Sequence, residues 1–204
     1  SANPVTDGDP LTLTATVSST TVTPTGSAVF RDGTVEIGSC ALVAISSSAA
    51  RCSYTTGDLP VGIQVLEAAY AGNTNFGPSA SDLLAQVVRG ITTTTVVAVP
   101  TTAVYGELVT LTITVANADG IVPSGTVSVS DATSGLVGSC TLGETGSCDV
   151  TTATLGAGTR SLIAIYGGDA AVAGSASSAI AVGIVPVATT TTLDSITGPA
   201  AFGA

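Results

Sequence analysis

The sequence predicts an all-β protein built as two Greek-key β-sandwiches in tandem. Three observations carry this. The 204-residue chain says nearly the same thing twice: Leu11-Thr-Leu-Thr-Ala-Thr-Val17 returns as Val109-Thr-Leu-Thr-Ile-Thr-Val115, and Tyr70-Ala-Gly-Asn73 as Tyr166-Gly-Gly-Asp169. Apolar residues alternate with threonine at a period of two, giving one dry and one wet face. Turn signals cut each copy into about seven short runs, which in the second copy lie near 92–99, 107–116, 125–131, 136–142, 147–153, 159–167 and 175–185. No window shows helical periodicity. The period, near 97 residues, is too long for a solenoid unit and is the size of a small complete domain. Seven short strands in that length fit a two-sheet sandwich.

The elements follow in order. Repeat one is assigned residues 1–88, repeat two residues 91–185, and a third unit opens over 188–204. In repeat one Leu11, Leu13, Ala15 and Val17 point to the core. Pro24-Thr-Gly26 makes a turn and returns as Pro123-Ser-Gly125; Gly38-Ser-Cys40 returns as Gly138-Ser-Cys140, and Leu59-Pro-Val-Gly62 as Leu155-Gly-Ala-Gly158. Leu66, Ala68 and Tyr70 share an inward face that Leu162, Ala164 and Tyr166 repeat, with Glu67 and Ile163 pointing outward. Repeat two is punctuated by Ala118-Asp-Gly120, Ser134-Gly135, Gly143 to Gly146, Gly156 to Gly158 and Gly167-Gly-Asp169. The linkers, Arg89-Gly90 and Pro186-Val187, leave little slack, unlike a Gly/Ser coil.

Repeat two begins with a threonine block, Thr92 to Thr95, and the third unit with Thr189, Thr190, Thr191, Thr192 and Leu193. Repeat one has no such opening strand. Its Ser1 to Val5 aligns with the stretch just before the second strand. No Met precedes Ser1, so the expectation is a mature or excised fragment. Threonine has high β propensity and suits the first strand of each sandwich. That reading is preferred over O-glycosylation or a hydroxyl array for ice or glycan. No Asn-x-Ser/Thr sequon is present, and Phe30, Phe76 and Tyr54 are the only aromatics of repeat one that sugar stacking could use.

Composition excludes several classes. Net charge is −10, only 9% of residues are charged, and the four basic residues are all arginine. Nucleic acid and anionic membrane need clustered Lys and Arg. No apolar run reaches the ~18–20 residues of a membrane span, so no membrane insertion is expected of this fragment. There is no His and no Lys. A serine triad would lack its base, Lys–Asn isopeptide bonds cannot form, and no carboxylate pair sits in a recognisable glycosidase setting. The expectation is no enzyme and no cofactor.

Four cysteines fall two per repeat, Cys40 with Cys52 and Cys140 with Cys148, around loops of 11 and 7 residues. Without CxxC spacing or histidine, zinc is not expected. Each pair brackets a turn between two strand-like runs, Val137 to Leu142 and Ser147 to Thr152 in the second repeat. Antiparallel neighbours there would bring the sulfurs within reach. Two disulfides imply an oxidising compartment. Asp7-Gly-Asp9, Asp169 and its counterpart Asn73 are the weak candidates for calcium, but these are also ordinary turn residues, and that reading is preferred.

The order of a Thr-rich strand, Tyr105-Gly-Glu-Leu-Val-Thr-Leu, Pro123-Ser-Gly-Thr-Val, Leu155-Gly-Ala-Gly-Thr and Ile165-Tyr-Gly-Gly-Asp resembles the bacterial immunoglobulin-like repeat of long surface proteins and adhesins. The resemblance covers both repeats and the start of the third. It implies tandem, extracellular, stalk-like immunoglobulin-like sandwiches with few catalytic members. The cysteine pairs are a local addition to that pattern. With no Trp, the immunoglobulin hallmark of an inter-sheet disulfide packed on Trp is not expected, and Tyr166 stands at the end of its strand rather than at a tyrosine corner.

The expected function is a non-catalytic rod on a bacterial surface or in a secreted fibre, each bead adding roughly 35–45 Å at ~3.3 Å per strand residue. Its expected partners are neighbouring immunoglobulin-like repeats or copies of itself, with residues 188–204 of one chain completing repeat one of the next. An arbitrary cut from a longer array, where the same pairing is made within one chain, is the other account of the ends. From a different class comes an adhesin module that recognises a host protein or glycan through its loops; both repeats carry lean loops, which favours the stalk.

Overall fold

Alternation of threonine with leucine, isoleucine or valine makes strands here because β-branched side chains fit the pleat and only one face has to be dry. A computed structural model describes residues 2–194 and 198. Repeat one runs β1 (Val5–Thr6), β2 (Leu11–Ser18), β3 (Ser27–Asp32), β4 (Val35–Ala41), β5 (Val43–Ala44), β6 (Ala49–Thr56), β7 (Gly62–Tyr70), β8 (Ser79–Ala80) and β9 (Leu84–Arg89). Repeat two runs β10 (Thr92–Val99), β11 (Thr102–Val104), β12 (Val109–Asn117), β13 (Thr126–Asp131), β14 (Gly135–Thr141), β15 (Ser147–Thr152), β16 (Gly158–Tyr166), β17 (Ser175–Ala176) and β18 (Ile180–Val185).

Each repeat is a two-sheet sandwich. Repeat two stacks β11-β18-β16-β13-β14 over β10-β12-β15; repeat one stacks β1-β9-β7-β3-β4 over β2-β6-β5. The pairs β1–β9 and β11–β18 are parallel, and the rest are antiparallel. The cores follow the alternation read from the sequence. Leu111, Ile113, Val127, Val129, Leu162 and Ala164 are wholly buried in repeat two. Eighteen buried apolar residues form that core against nine in repeat one, among the described residues.

Three expectations need correction. The three-residue β11 escaped notice, being too short to show alternation. The run 175–185 is two strands, because Ser177 interrupts it: its hydroxyl accepts the Ala164 amide at 3.0 Å and breaks the ladder between β17 and β18. The cysteine strands are not paired neighbours either. Cys140 stands on β14, the edge of one sheet, and Cys148 on β15, the edge of the other. The turn at Gly143 to Gly146 (Gly143 amide to Ser147 carbonyl, 2.9 Å) carries the chain across the sandwich rather than doubling it back. Cys40 on β4 and Cys52 on β6 likewise stand in opposite sheets, β6 being the middle strand of its own. Both pairs are joined, with Cα atoms 5.7 and 5.9 Å apart. The bridges therefore staple sheet to sheet, without a Trp beneath them.

The tyrosines at the ends of β7 and β16 close each sandwich. Tyr70 donates its phenol to the Thr25 carbonyl at 2.7 Å, and Tyr166 to the Ser124 carbonyl at 2.8 Å. Each holds the Pro-x-Gly turn region against the strand that follows much later in sequence.

Candidate functional site: an open strand position beside β2

In repeat two, β12 lies between two partners. β15 pairs on one edge, and β10 on the other in full register from Thr92 opposite Asn117 to Val99 opposite Thr110. β10 buries Thr92, Thr94, Val96 and Ala98 and exposes the residues between them. Its two buried hydroxyls are satisfied: Thr92 Oγ1 donates to the Ala173 carbonyl at 2.8 Å and lies 2.7 Å from Ser175 Oγ, and Thr94 Oγ1 is 2.7 Å from the same Ser175 Oγ. Buried polar groups need such partners.

β2 is the counterpart of β12 and pairs with β6 alone; among the described residues nothing occupies the place of β10. The Ser19 amide bonds the Ser48 carbonyl on the β6 side. An antiparallel ladder alternates its hydrogen-bonding direction, so the backbone groups of Thr12, Thr14 and Thr16 face the empty edge. Under that edge lies a groove of about 480 Å³ lined by Leu13, Ala15, Val17, Phe30, Leu66 and Ser79 among others. Burial registers the gap. Val115 is 1% exposed, while Val17 in the same place is only half-buried. Ala164 is wholly buried, and its counterpart Ala68 is not.

Thr189 to Leu193 are exposed and take part in no strand among the described residues. Of the expected donor segment 188–204, residues 195–197 and 199–204 lie outside the described residues. Ser79 was missed by sequence reasoning. The signal was its alignment with Ser175: each stands opposite the closing tyrosine, Tyr70 with Ser79 and Tyr166 with Ser175.

The acidic candidates are dispersed into turns. The Asp7 amide bonds the Arg89 carbonyl at 2.8 Å, and the Asp9 amide the Thr6 carbonyl at 3.0 Å. Asp169 accepts from the Ser124 amide (2.9 Å) and hydroxyl (2.7 Å) through Oδ2, and from the Ala171 and Val172 amides (2.8 and 2.9 Å) through Oδ1. Partial burial pushes its carboxyl up, but the Ser124 hydroxyl and the three amides outweigh this and hold it at about 2. Burial first, and the Asp169 charge second, push Tyr166 up to about 12. Asn73 plays the part of Asp169 in repeat one, its Oδ1 accepting the Asn75 amide at 2.9 Å. Among the described residues no group of three or more His, Cys, Asp or Glu comes together. None of the named aromatics of repeat one stands exposed: Phe30 is 3% exposed, and Tyr54 and Phe76 are half-buried.

A family model described as bacterial Ig-like domain (group 3) matches residues 1–89 and 95–185. No curated protein sequence matches. Among solved structures, the FdeC adhesin of Escherichia coli is 18% identical, with 90% of this chain and 62% of that one covered and a TM-score of 0.48. The Yersinia pseudotuberculosis adhesin InvE is 15% identical over 86% of this chain and 56% of its own, with a TM-score of 0.31. The z1z2 domains of titin, in complex with telethonin, are 16% identical over 90% of this chain and 92% of theirs, with a TM-score of 0.29. The chain spans under two thirds of the length of either adhesin structure.

Proposed function

Because the chain belongs to the bacterial Ig-like domain (group 3) family in both its repeats, we propose that it is a non-catalytic structural module, a stretch of stalk or fibre on a bacterial surface whose beads are joined by shared strands. The observation that supports this reading is two sandwiches of the same topology in tandem on a two-residue linker, followed by a segment that repeats the opening of β10. Residues 188–204 of one copy enter repeat one of the next. This is β-augmentation, in which a strand added at a sheet edge satisfies the backbone groups and covers the groove. The contact is heterologous and does not close, so it propagates head to tail. The division into residues 1–88, 91–185 and 188–204 is then two beads and either the first strand of a third repeat in the same chain or a strand donated to the next copy. The short linker supports a stiff rod. Gly90 is fastened to repeat two, its amide on the Ala171 carbonyl at 3.0 Å and its carbonyl on the Ala173 amide at 2.9 Å. The inter-sheet disulfides support an extracellular address, since such bonds persist in oxidising compartments.

Sedimentation velocity across a concentration series tests the reading. The intact chain is expected to form growing head-to-tail assemblies, and the chain lacking residues 188–204 to stay monomeric. Filaments from the shortened chain, or a monomeric intact chain at high concentration, would overturn strand sharing between chains.

A further inference from the structure

We infer that a single pinned peptide, Arg89–Gly90, locks repeats one and two into one stiff unit, and that Asn117 keeps it seated. The inference deepens the stalk reading and rests on it only for its purpose; it names the residues that make the joint rigid.

The peptide group between Arg89 and Gly90 is planar and is bonded on both sides. Its carbonyl accepts the Asp7 amide of repeat one at 2.8 Å, and its N–H donates to the Ala171 carbonyl of repeat two at 3.0 Å. No free residue separates the sandwiches. Arg89 is still paired with Thr6 in the β1–β9 ladder, and Gly90 already bridges Val172.

The chain can bend here only about its soft torsions, and each one is guarded. Turning ψ of Arg89 swings the carbonyl off the Asp7 amide. Turning φ of Gly90 carries the Ala171 carbonyl away from the Gly90 amide. Turning ψ of Gly90 breaks the 2.9 Å bond from the Ala173 amide to the Gly90 carbonyl. One position on, Asn117 Nδ2 donates to the Ile91 carbonyl at 2.9 Å. Gly90 is buried, so a broken bond there leaves groups that water does not readily satisfy. Such pinning is not a general consequence of leaving a sandwich of this kind. At the exit of repeat two the Val185 carbonyl likewise accepts the Tyr105 amide, at 2.8 Å. Pro186 follows it, and proline has no N–H to give.

The seat needs glycine for space. A Cβ on Gly90 would lie 2.5 Å from Asn117 Nδ2 and 3.0 Å from Asp119 Oδ2. Asn117 is not free to swing aside, because its Oδ1 accepts the Asp119 and Ile121 amides at 2.9 and 3.2 Å. Alanine at position 90 therefore lifts the linker off Ala171 and Ala173. Shortening Asn117 to alanine as well returns the space, since the Asp119 carboxylate is the end of a side chain and can shift.

Single-molecule fluorescence energy transfer within one chain tests this, at a dilution where the chain is monomeric. Dyes are carried by noncanonical residues at the exposed positions 34 and 151, one in each repeat. The parent is expected to give one narrow distance distribution. Two glycines inserted between Arg89 and Gly90 break the pin without crowding it and should broaden the distribution. Gly90→Ala should broaden it too, with both melting transitions kept, and Gly90→Ala with Asn117→Ala should narrow it again. A parent as broad as the insertion variant, or an insertion variant as narrow as the parent, would overturn the pinned joint. A narrow Gly90→Ala chain, or a double variant that stays broad, would overturn the role of Asn117. Should Gly90→Ala fail to fold, the insertion variant still decides the joint. Head-to-tail assembly is read separately by sedimentation, so it can stand or fall whatever the joint does.

Discussion

Val17 and Val115 hold the same place in the second strand of their repeats, yet Val115 is 1% exposed and Val17 is only half-buried. The difference lies next door: β10 covers Val115, and nothing described covers Val17. Without a described strand beside β2, the core under that edge is smaller: nine buried apolar residues against eighteen in repeat two among the described residues.

The first prediction follows directly. Two thermal transitions are expected for the dilute chain, with repeat one unfolding first. Appending the sequence of Thr92–Ala98 ahead of Ser1 supplies the strand within the chain. Calorimetry should then show the lower transition rising by about 5 °C or more, since ~1 kcal/mol moves a domain of this size by ~4–8 °C. The same extension should abolish self-association by occupying the groove. An unmoved lower transition would mean the position beside β2 is not a strand site.

Much of this was legible in the chain. The Leu11 to Val17 alternation named its buried face, and repetition exposed what one copy alone would hide. That the described residues hold nothing in the place of β10 beside β2 could be read only because Thr92 to Val99 exists for comparison. What escaped depends on three-dimensional placement. A turn between two cysteine runs looks the same whether the chain doubles back or crosses to the other sheet, and Gly143 to Gly146 crosses. Three residues at Thr102–Val104 are too few for a period. Ser79 is an unremarkable serine until Ser175 is seen bonded to two threonines.

The second prediction concerns the inter-sheet bridges. Cys140→Ser with Cys148→Ser should cost repeat two about 2–3 kcal/mol, the chain-entropy value for so short a loop. The transition of repeat one should stay in place, and the mirror substitution at Cys40 and Cys52 should do the reverse. Guanidinium unfolding of each pair variant measures this. A loss shared equally by both transitions would show that the repeats do not unfold separately.

The third concerns the glycine two residues before each bridging cysteine on β4 and β14. A Cβ on Gly38 would run into the Tyr54 ring, and one on Gly138 would fall 2.8 Å from Val150 Cγ1. The two sheets meet closely there, which is what lets the disulfide span them. Gly38→Ala is expected to destabilise repeat one by about 1–3 kcal/mol, the usual cost of overpacking. Gly77→Ala, where a Cβ meets nothing within 4 Å, is the control and should cost under ~0.5 kcal/mol. Equal effects would remove the packing argument.

The fourth is that stability does not depend on calcium. Asp7 and Asp9 share one turn that is remote from the Asp169 turn, and the Asp169 oxygens are already taken by protein donors. Excess chelator should shift neither melting transition by more than about a degree. A fall of ten degrees or more would place a cation at one of these turns.

The fifth is a pH dependence of repeat two carried by its Asp169–Tyr166 corner. Asp169 has its ordinary value of 3.8 when unfolded and about 2 when folded. The unfolded chain then binds the proton more readily, so the Asp169 contribution is fully present above about pH 4 and is lost as pH falls toward 2. Tyr166 is raised from 10.0 to about 12, so its contribution is fully present below pH 10 and is lost as pH rises toward 12. Asp169 is half-exposed, so solvent screening reduces the acid effect to roughly 1 kcal/mol. Repeat one carries Asn73 in this turn and has no carboxylate there to protonate. Asp131 in the same repeat is also lowered, burial pushing its carboxyl up but the Ser134 hydroxyl and neighbouring amides pulling it further down, so Asp169→Asn should make the acid limb of repeat two shallower without abolishing it. The Asn75-type turn bond would survive, because an amide oxygen accepts as Asn73 Oδ1 does. Urea midpoints taken every half pH unit for both chains decide it: an acid limb that persists unchanged in Asp169→Asn belongs to another group.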